Sequence, residues 1–233
     1  MNVDCTDCTY FPQFHLFQAA KRTTKRITAF ESPQETPHEL EHEDVLSSDH
    51  RVTTVVFELE HVLSTNIDKL RSKGVVAVSA MHPVRKQLCF GGEGRIEALQ
   101  KFLERVHERN DSFENAGESI KCFILSKESS KMILQLLMDC NLVKFFISRF
   151  GNQLVSHVIG RDHGMAQETN HKKHLILLKL MESLGRAHEE MLYVGNDKEE
   201  INHIRSIGLC RTYLTETQGL TEEAMNKVAD SYF

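Results

Sequence analysis

Two glutamates one residue apart, Glu58 and Glu60, stand where the apolar run Val52–Phe57 gives way to polar sequence. Carboxylates so placed can attack an electrophile, relay protons or hold a hard cation. They can equally be solvated charges at the C-terminal end of a sheet strand, where open α/β folds place their crevice. A second apolar run, Cys122–Leu125, ends in Ser126, a residue type that often caps a following helix. Lys172 and Lys173 open an amphipathic stretch, and the apolar run Met191–Val194 leads into Gly195, Asn196, Asp197 and then Glu200. Taken singly, each has an ordinary structural reading, the lysines as exposed residues at a helix start.

The elements that must position these residues follow from hydrophobic periodicity. From Arg51 onward, apolar runs of strand length alternate with amphipathic stretches, the signature of β/α units and a parallel sheet covered on both faces. The expected strands are 52–57, 120–125, 143–147, 191–194 and 209–214, with a further short one within 154–159. Short β-like runs at 74–80 and 87–90, around Pro83, read as a hairpin flap, and Gly91-Gly92 breaks the chain before a helix over about 95–108. In that helix Ile96, Leu99, Phe102, Leu103 and Val106 recur at helical spacing. Residues 109–119 read as a loop, and further helices are expected over 129–138, 174–184, 199–206 and 222–229.

The chain of 233 residues suits one α/β domain of roughly 180 residues plus a tail. Its net charge of −5 gives no bulk electrostatic reason to bind nucleic acid or an anionic membrane. No stretch approaches the ~20 apolar residues that span a bilayer. Cys122 and Cys210 lie in apolar runs, as free cysteines do in a reducing, intracellular compartment. The first fifty residues differ in composition. Residues 31–50 hold seven acids, Pro33 and Pro37 but no Lys or Arg, so they should be disordered alone. Ahead of them Tyr10, Phe11, Phe14, Leu16 and Phe17 form an aromatic cluster, which either folds back on the domain or anchors in a partner. Cys5 and Cys8 make a lone C-x-x-C near His15, and no second pair completes a zinc site. Lys21, Arg22, Lys25 and Arg26 resemble a transit peptide while Asp4 and Asp7 argue against one, so cytoplasmic and mitochondrial placement both stay open. The expected division is an extended or disordered N-terminal arm over 1–50 and a domain over 51–233.

The motifs of that domain, in order, resemble those of the haloacid dehalogenase (HAD) phosphatase superfamily. Val52-Thr-Thr-Val-Val-Phe-Glu58-Leu-Glu60-His-Val-Leu63 is similar to the family's strand followed by Asp-x-Asp-x-(Thr/Val)-Leu, with both aspartates replaced by glutamate. Cys122-Phe-Ile-Leu-Ser126 matches the strand ending in Ser or Thr, Lys172-Lys173 the lysine that opens a helix, and Met191–Ile201 the strand-Gly-Asp-x-x-x-Asp-Ile ending. The resemblance covers nearly all of residues 52–231. It implies a HAD-like Rossmannoid α/β fold, a parallel sheet flanked by helices with a small flap. It also implies roles: Glu58 in the nucleophile place, Glu60 in the acid/base place, and Ser126 with Lys172 or Lys173 at the phosphate. Glu58, Asn196, Asp197 and Glu200 fall on or beside the Mg²⁺-ligand places.

The substitutions decide the functional expectation. Glutamate is one methylene longer than aspartate, which moves the carboxylate by roughly 1 Å, and a misplacement of about 1 Å can cost on the order of 10²-fold in rate. Asn196 also removes a charge from a place where Mg²⁺ prefers anionic oxygen. The expectation is a catalytically degenerate HAD-like domain, a pseudo-phosphatase, with no cofactor or only weakly held Mg²⁺. It would serve as a binding or scaffold subunit of a larger protein assembly, contacting partner subunits through the N-terminal arm. The alternatives are a divergent Mg²⁺-dependent phosphatase with Glu58 as nucleophile, and a pocket that binds a phosphoryl ligand through Ser126 and Lys172 or Lys173 without hydrolysing it.

Overall fold

The computed structural model describes residues 51–65, 67, 89–108, 120–150, 152–215 and 219–233. The expected arm over 1–50, with its aromatic cluster and Cys5-x-x-Cys8, lies outside them, as do the flap residues 74–80, Gln87, Leu88 and the loop 109–119. Of the expected flap run at 87–90 only Cys89 and Phe90 are described, and neither is in a strand.

Five parallel strands form one sheet in the order β5-β2-β1-β6-β7. They are β1 (Thr54–Glu58), β2 (Lys121–Leu125), β5 (Val158–Ile159), β6 (Met191–Gly195) and β7 (Arg211–Leu214). The helices are α1 (Glu93–Glu108), α2 (Ser130–Asp139), α3 (Gly164–Glu168), α4 (Lys173–Leu184), α5 (Lys198–Ser206) and α6 (Glu222–Tyr232). β1, β2 and β6 are almost wholly buried because both faces of the sheet are covered, and this is why they read as unbroken apolar runs. Successive side chains point to opposite faces. Val55, Phe57, Cys122, Ile124, Leu192 and Val194 join one core with residues of α1, α2 and α6. Val56, Phe123, Leu125, Met191 and Tyr193 join another with Ile176 and Leu177 of α4 and Ile201 and Ile204 of α5.

Chain order sets where a site can form. From β1 the chain runs outward through β2 to β5, then returns to the other side of β1 for β6 and β7. The reversal lies between β1 and β6, and open α/β sheets bind ligands beyond the carboxyl ends of strands at such a switch point. Glu58 ends β1 there, and Asn196 follows β6.

One expected strand is corrected. Residues 143–145 form a short helical turn, and the strand that follows, β3 (Ile147–Phe150), does not enter the main sheet. It pairs antiparallel with β4 (Gln153–Ser156) in a separate two-stranded sheet. The expected strand at 154–159 divides accordingly into β4 and the two-residue β5. A run of Val, Phe and Ile looks the same in a parallel core strand and in a short turn packed on the core. Buried Phe145 and Phe146 lend the segment apolar character without requiring it to be a strand.

Candidate functional site

Glu58 keeps the period of Val56, so its side chain faces the layer of α4 and α5 rather than that of α1 and α2. That layer supplies its partners. The Lys173 ammonium, on the first residue of α4, pairs with Glu58 Oε1 and reaches Glu200 Oε2 of α5 at 2.5 Å. The other Glu58 oxygen, Oε2, accepts the Asn196 N–H at 3.0 Å. The Glu58 side chain is 5% exposed and that of Lys173 15%, so the pair sits away from bulk water. Burial alone would lower the Lys173 pKa, but the charges and hydrogen bonds of Glu58 and Glu200 outweigh it and hold the ammonium above its ordinary 10.5. Tyr193, fully buried on the same face of β6, feels this cluster too. Burial first, then the negative charges of Glu58 and Glu200, hold its phenol well above its ordinary 10.

Glu60 takes a different set of donors. Its Oε1 accepts the Ser126 hydroxyl at 2.7 Å and the Lys127 N–H at 2.9 Å. Ser126 Oγ in turn accepts the Glu128 N–H at 3.0 Å, which fixes the direction of its own proton toward Glu60. Glu60 is carried by a tight turn, Leu59–Leu63, closed by the Ser64 N–H on the Leu59 carbonyl at 2.8 Å, with His61 in the left-handed region at φ 57°. Arg95 of α1 secures that turn from behind. Its guanidinium donates to the carbonyls of Leu63 (2.5 Å), Phe90 (2.8 Å), Val62 (2.9 Å) and Leu220 (3.2 Å).

Together with His61, Lys127, Asp197, Lys198 and Glu199, the residues Glu58, Glu60, Lys173 and Asn196 line a cleft of about 660 Å³. The sequence-predicted residues divide plainly. Glu58, Glu60, Ser126, Lys173, Asn196 and Glu200 converge on the cleft or its buried wall. Lys172 does not join them; it is exposed and begins α4 as a cap residue without a side-chain cap bond. Asp197 lines the cleft, but one carboxylate oxygen is taken up in capping α5, accepting the Glu199 and Glu200 N–H groups at 3.0 and 3.2 Å. Ser126 is not the cap of α2 that its position allows, since Ser129 fills that place. Sequence reasoning missed Arg95, Tyr193 and Lys127. Tyr193 had a readable signal in its period with Glu58 across adjacent strands, whereas Arg95 looked like one more polar residue on a helix.

No family model matches the chain, and no curated protein matches it by sequence. Solved structures are similar to it in fold. The HAD domain of the effector protein Lem4 from Legionella pneumophila has a TM-score of 0.44 and 11% identity, covering 78% of this chain and 96% of that one. A HAD-like family hydrolase from Porphyromonas gingivalis gives 0.41 and 16%, covering 76% and 97%. The cobalt-bound deoxy-D-mannose-octulosonate 8-phosphate phosphatase of Haemophilus influenzae gives 0.39 and 14%, covering 78% and 87%. Such distant likenesses concern the fold alone; by its own topology, five parallel strands in the order β5-β2-β1-β6-β7 with helices on both faces, the chain has a Rossmannoid α/β fold.

Proposed function

We propose that this is a catalytically degenerate HAD-like domain that works by binding rather than by turnover, as a scaffold subunit of a larger protein assembly. The observation that carries the reading is the ion cluster Glu58–Lys173–Glu200. A carboxylate that attacks phosphorus needs a free oxygen facing the substrate, whereas both oxygens of Glu58 are engaged, one by Lys173 and one by the Asn196 N–H. The donor set also does not fit a resident Mg²⁺. The ammonium of Lys173 already bridges the two glutamates that would ligate it, and Asp197 is engaged at the start of α5. Among the described residues no group of three or more His, Cys, Asp or Glu is arranged to hold a metal ion. A hard divalent cation would have to displace the ammonium first, so any Mg²⁺ there is weakly held. Purified full-length protein with added Mg²⁺ should therefore hydrolyse p-nitrophenyl phosphate no faster than the buffer blank. Turnover that vanishes in Glu58→Ala would replace this reading with that of a divergent phosphatase using Glu58.

The partner contact is assigned to the N-terminal arm, on the strength of its sequence. Five aromatic and aliphatic residues within 10–17 can anchor in a groove, and buried aromatic anchors often contribute about 2 kcal/mol or more each to an interface. Removing residues 1–50 should leave the thermal transition of the domain in place and abolish recovery of partners in a pull-down. Full recovery by the truncated protein would move the interface to the domain surface, and a lost transition would make the aromatic cluster part of the core.

A further inference from the structure

We propose that His157 is a proton-sensitive latch: neutral, it ties the β3–β4 sheet to the edge of the main sheet, and on protonation it lets that small sheet go. His157 is the joint of one extended segment shared by two sheets. Gln153–Ser156 form β4, paired with β3, and Val158–Ile159 form β5, paired with β2. At the joint the backbone serves both. The His157 N–H donates to the Phe146 carbonyl at 2.8 Å, one step beyond the Ile147–Ser156 pair of the small sheet, and the His157 carbonyl accepts the Ile124 N–H of β2 at 3.0 Å. The ring repeats the connection. Its Nδ1 lies 3.2 Å from the Cys122 carbonyl of β2 and its Nε2 lies 2.9 Å from the Ser148 hydroxyl of β3. A carbonyl only accepts, so Nδ1 carries the proton and Nε2 accepts from Ser148. The ring also stacks on Phe123, with 4.6 Å between centroids, and the residue is 8% exposed.

A proton on Nε2 undoes this arrangement. The Ser148 hydroxyl must turn its own proton away, and a cation is left where little water reaches it. Lys121 of β2 and His107 of α1 act on it electrostatically, and when charged both carry the sign of the imidazolium. Of the α1 carboxylates flanking His107 in sequence, Glu104 bonds Lys144 at 2.9 Å and Glu108 is exposed. On β3, Arg149 follows Ser148 and alternates to the opposite face. Burial is the largest influence and lowers the His157 pKa below its ordinary 6.5; the Cys122 carbonyl, which favours the charged ring, opposes it, and Lys121 and His107 lower it again. A released ring therefore takes a proton more readily than a docked one. Docking is at full strength above the ordinary value and weakens as pH falls toward the docked one. The consequence reaches further along the chain, because the carbonyl of Ile159 in β5 accepts the Ser126 N–H at 3.1 Å and so continues the joint to the wall of the cleft.

Hydrogen exchange of the full-length protein, corrected for the intrinsic rate, reads the latch directly. The open fraction of residues 146–157 should rise about fivefold from pH 7.5 to 5.5, since each unit between the docked and the ordinary pKa is a tenfold change in the equilibrium. Amides of β1 and β6 should stay protected over the same range. His157→Gln, which keeps a neutral hydrogen-bonding side chain, should remove the response. His163→Gln should retain it, although burial holds the His163 pKa below the ordinary value as well. A nitrogen-15 NMR titration of the wild-type ring, which needs no folded variant, should show the Nδ1–H tautomer at pH 7.5 and a midpoint below 6.5. A rise in opening below twofold, an equal rise in β1 and β6, a response that survives His157→Gln, or a His157 midpoint at or above 6.5 would each overturn the latch.

Discussion

Lys173→Met should destabilise the domain by about 3–5 kcal/mol, the cost of breaking a buried ion pair by removing one partner. The cost is large because two carboxylates, Glu58 and Glu200, share that one ammonium and lose it together. Glu58 would lose its one charged partner and keep neutral donors such as the Asn196 N–H, in a setting where its side chain is 5% exposed. Urea unfolding of wild type and variant at pH 7 measures the difference. A double-mutant cycle with Glu58→Met apportions it, since replacing both partners by apolar groups of similar size should restore much of the loss. A loss below about 1 kcal/mol with additive single changes would mean that water screens the pair as it does at a surface. The pH dependence has a definite sign. Because Lys173 titrates above its ordinary 10.5 when folded, its contribution is fully present at neutral pH and is lost only as pH rises through the folded value. The variant also tests the role of the ammonium as an internal cation. With Lys173 gone, millimolar Mg²⁺ should raise the melting midpoint of the variant and leave that of wild type unmoved, by the ordinary linkage between binding and folding.

That cluster was half legible in the sequence. Alternation of apolar runs and amphipathic stretches pointed to the sheet, and the resemblance of the segments at the run ends to the family's motifs singled out Glu58, Ser126, Asn196 and Glu200. Which of Lys172 and Lys173 enters the site was not legible, because adjacent residues at a helix start differ only in the direction the helix gives them, and that depends on how α4 lies across β1. Nor could the sequence tell that Glu60 turns to Ser126 and Lys127 while Glu58, two residues earlier, turns to the opposite wall; that split follows from the end of the extended strand at Glu58 and the tight turn Leu59–Leu63 that begins directly after it. The segment 143–147 shows the converse. Its apolar content marks burial correctly, yet burial is compatible with a turn, and only the register of β3 on β4 fixes which residues are strand.

Arg95 is the residue that sequence reasoning had least reason to notice, and its loss should rival that of Lys173. One guanidinium donates to four carbonyls drawn from three separated segments: Val62 and Leu63 behind the Glu60 turn, Phe90 ahead of α1, and Leu220 ahead of α6. The packing around it is too close for side chains. A Cβ at Gly91 would meet Arg95 Cδ at 2.8 Å and one at Gly219 would meet Nη2 at 2.6 Å, and both glycines have positive φ. Burial pulls the Arg95 pKa down to about 10, which still leaves it charged at neutral pH. Hydrogen bonds to a charged donor contribute about 1.5–3 kcal/mol each, and four carbonyls cannot all be resolvated in that space, so Arg95→Met should cost about 3–5 kcal/mol in urea unfolding. Arg95→Lys should recover less than half, because a single ammonium cannot span four acceptors that a planar fork reaches at once. A loss under about 1 kcal/mol in Arg95→Met would show that water takes over the carbonyls and that the three segments hold together without the clamp. The cost should also be local. Hydrogen exchange at Ser64, whose N–H closes the Glu60 turn, should accelerate in Arg95→Lys under conditions where the amides of β1 stay protected, since the clamp fixes the turn rather than the sheet.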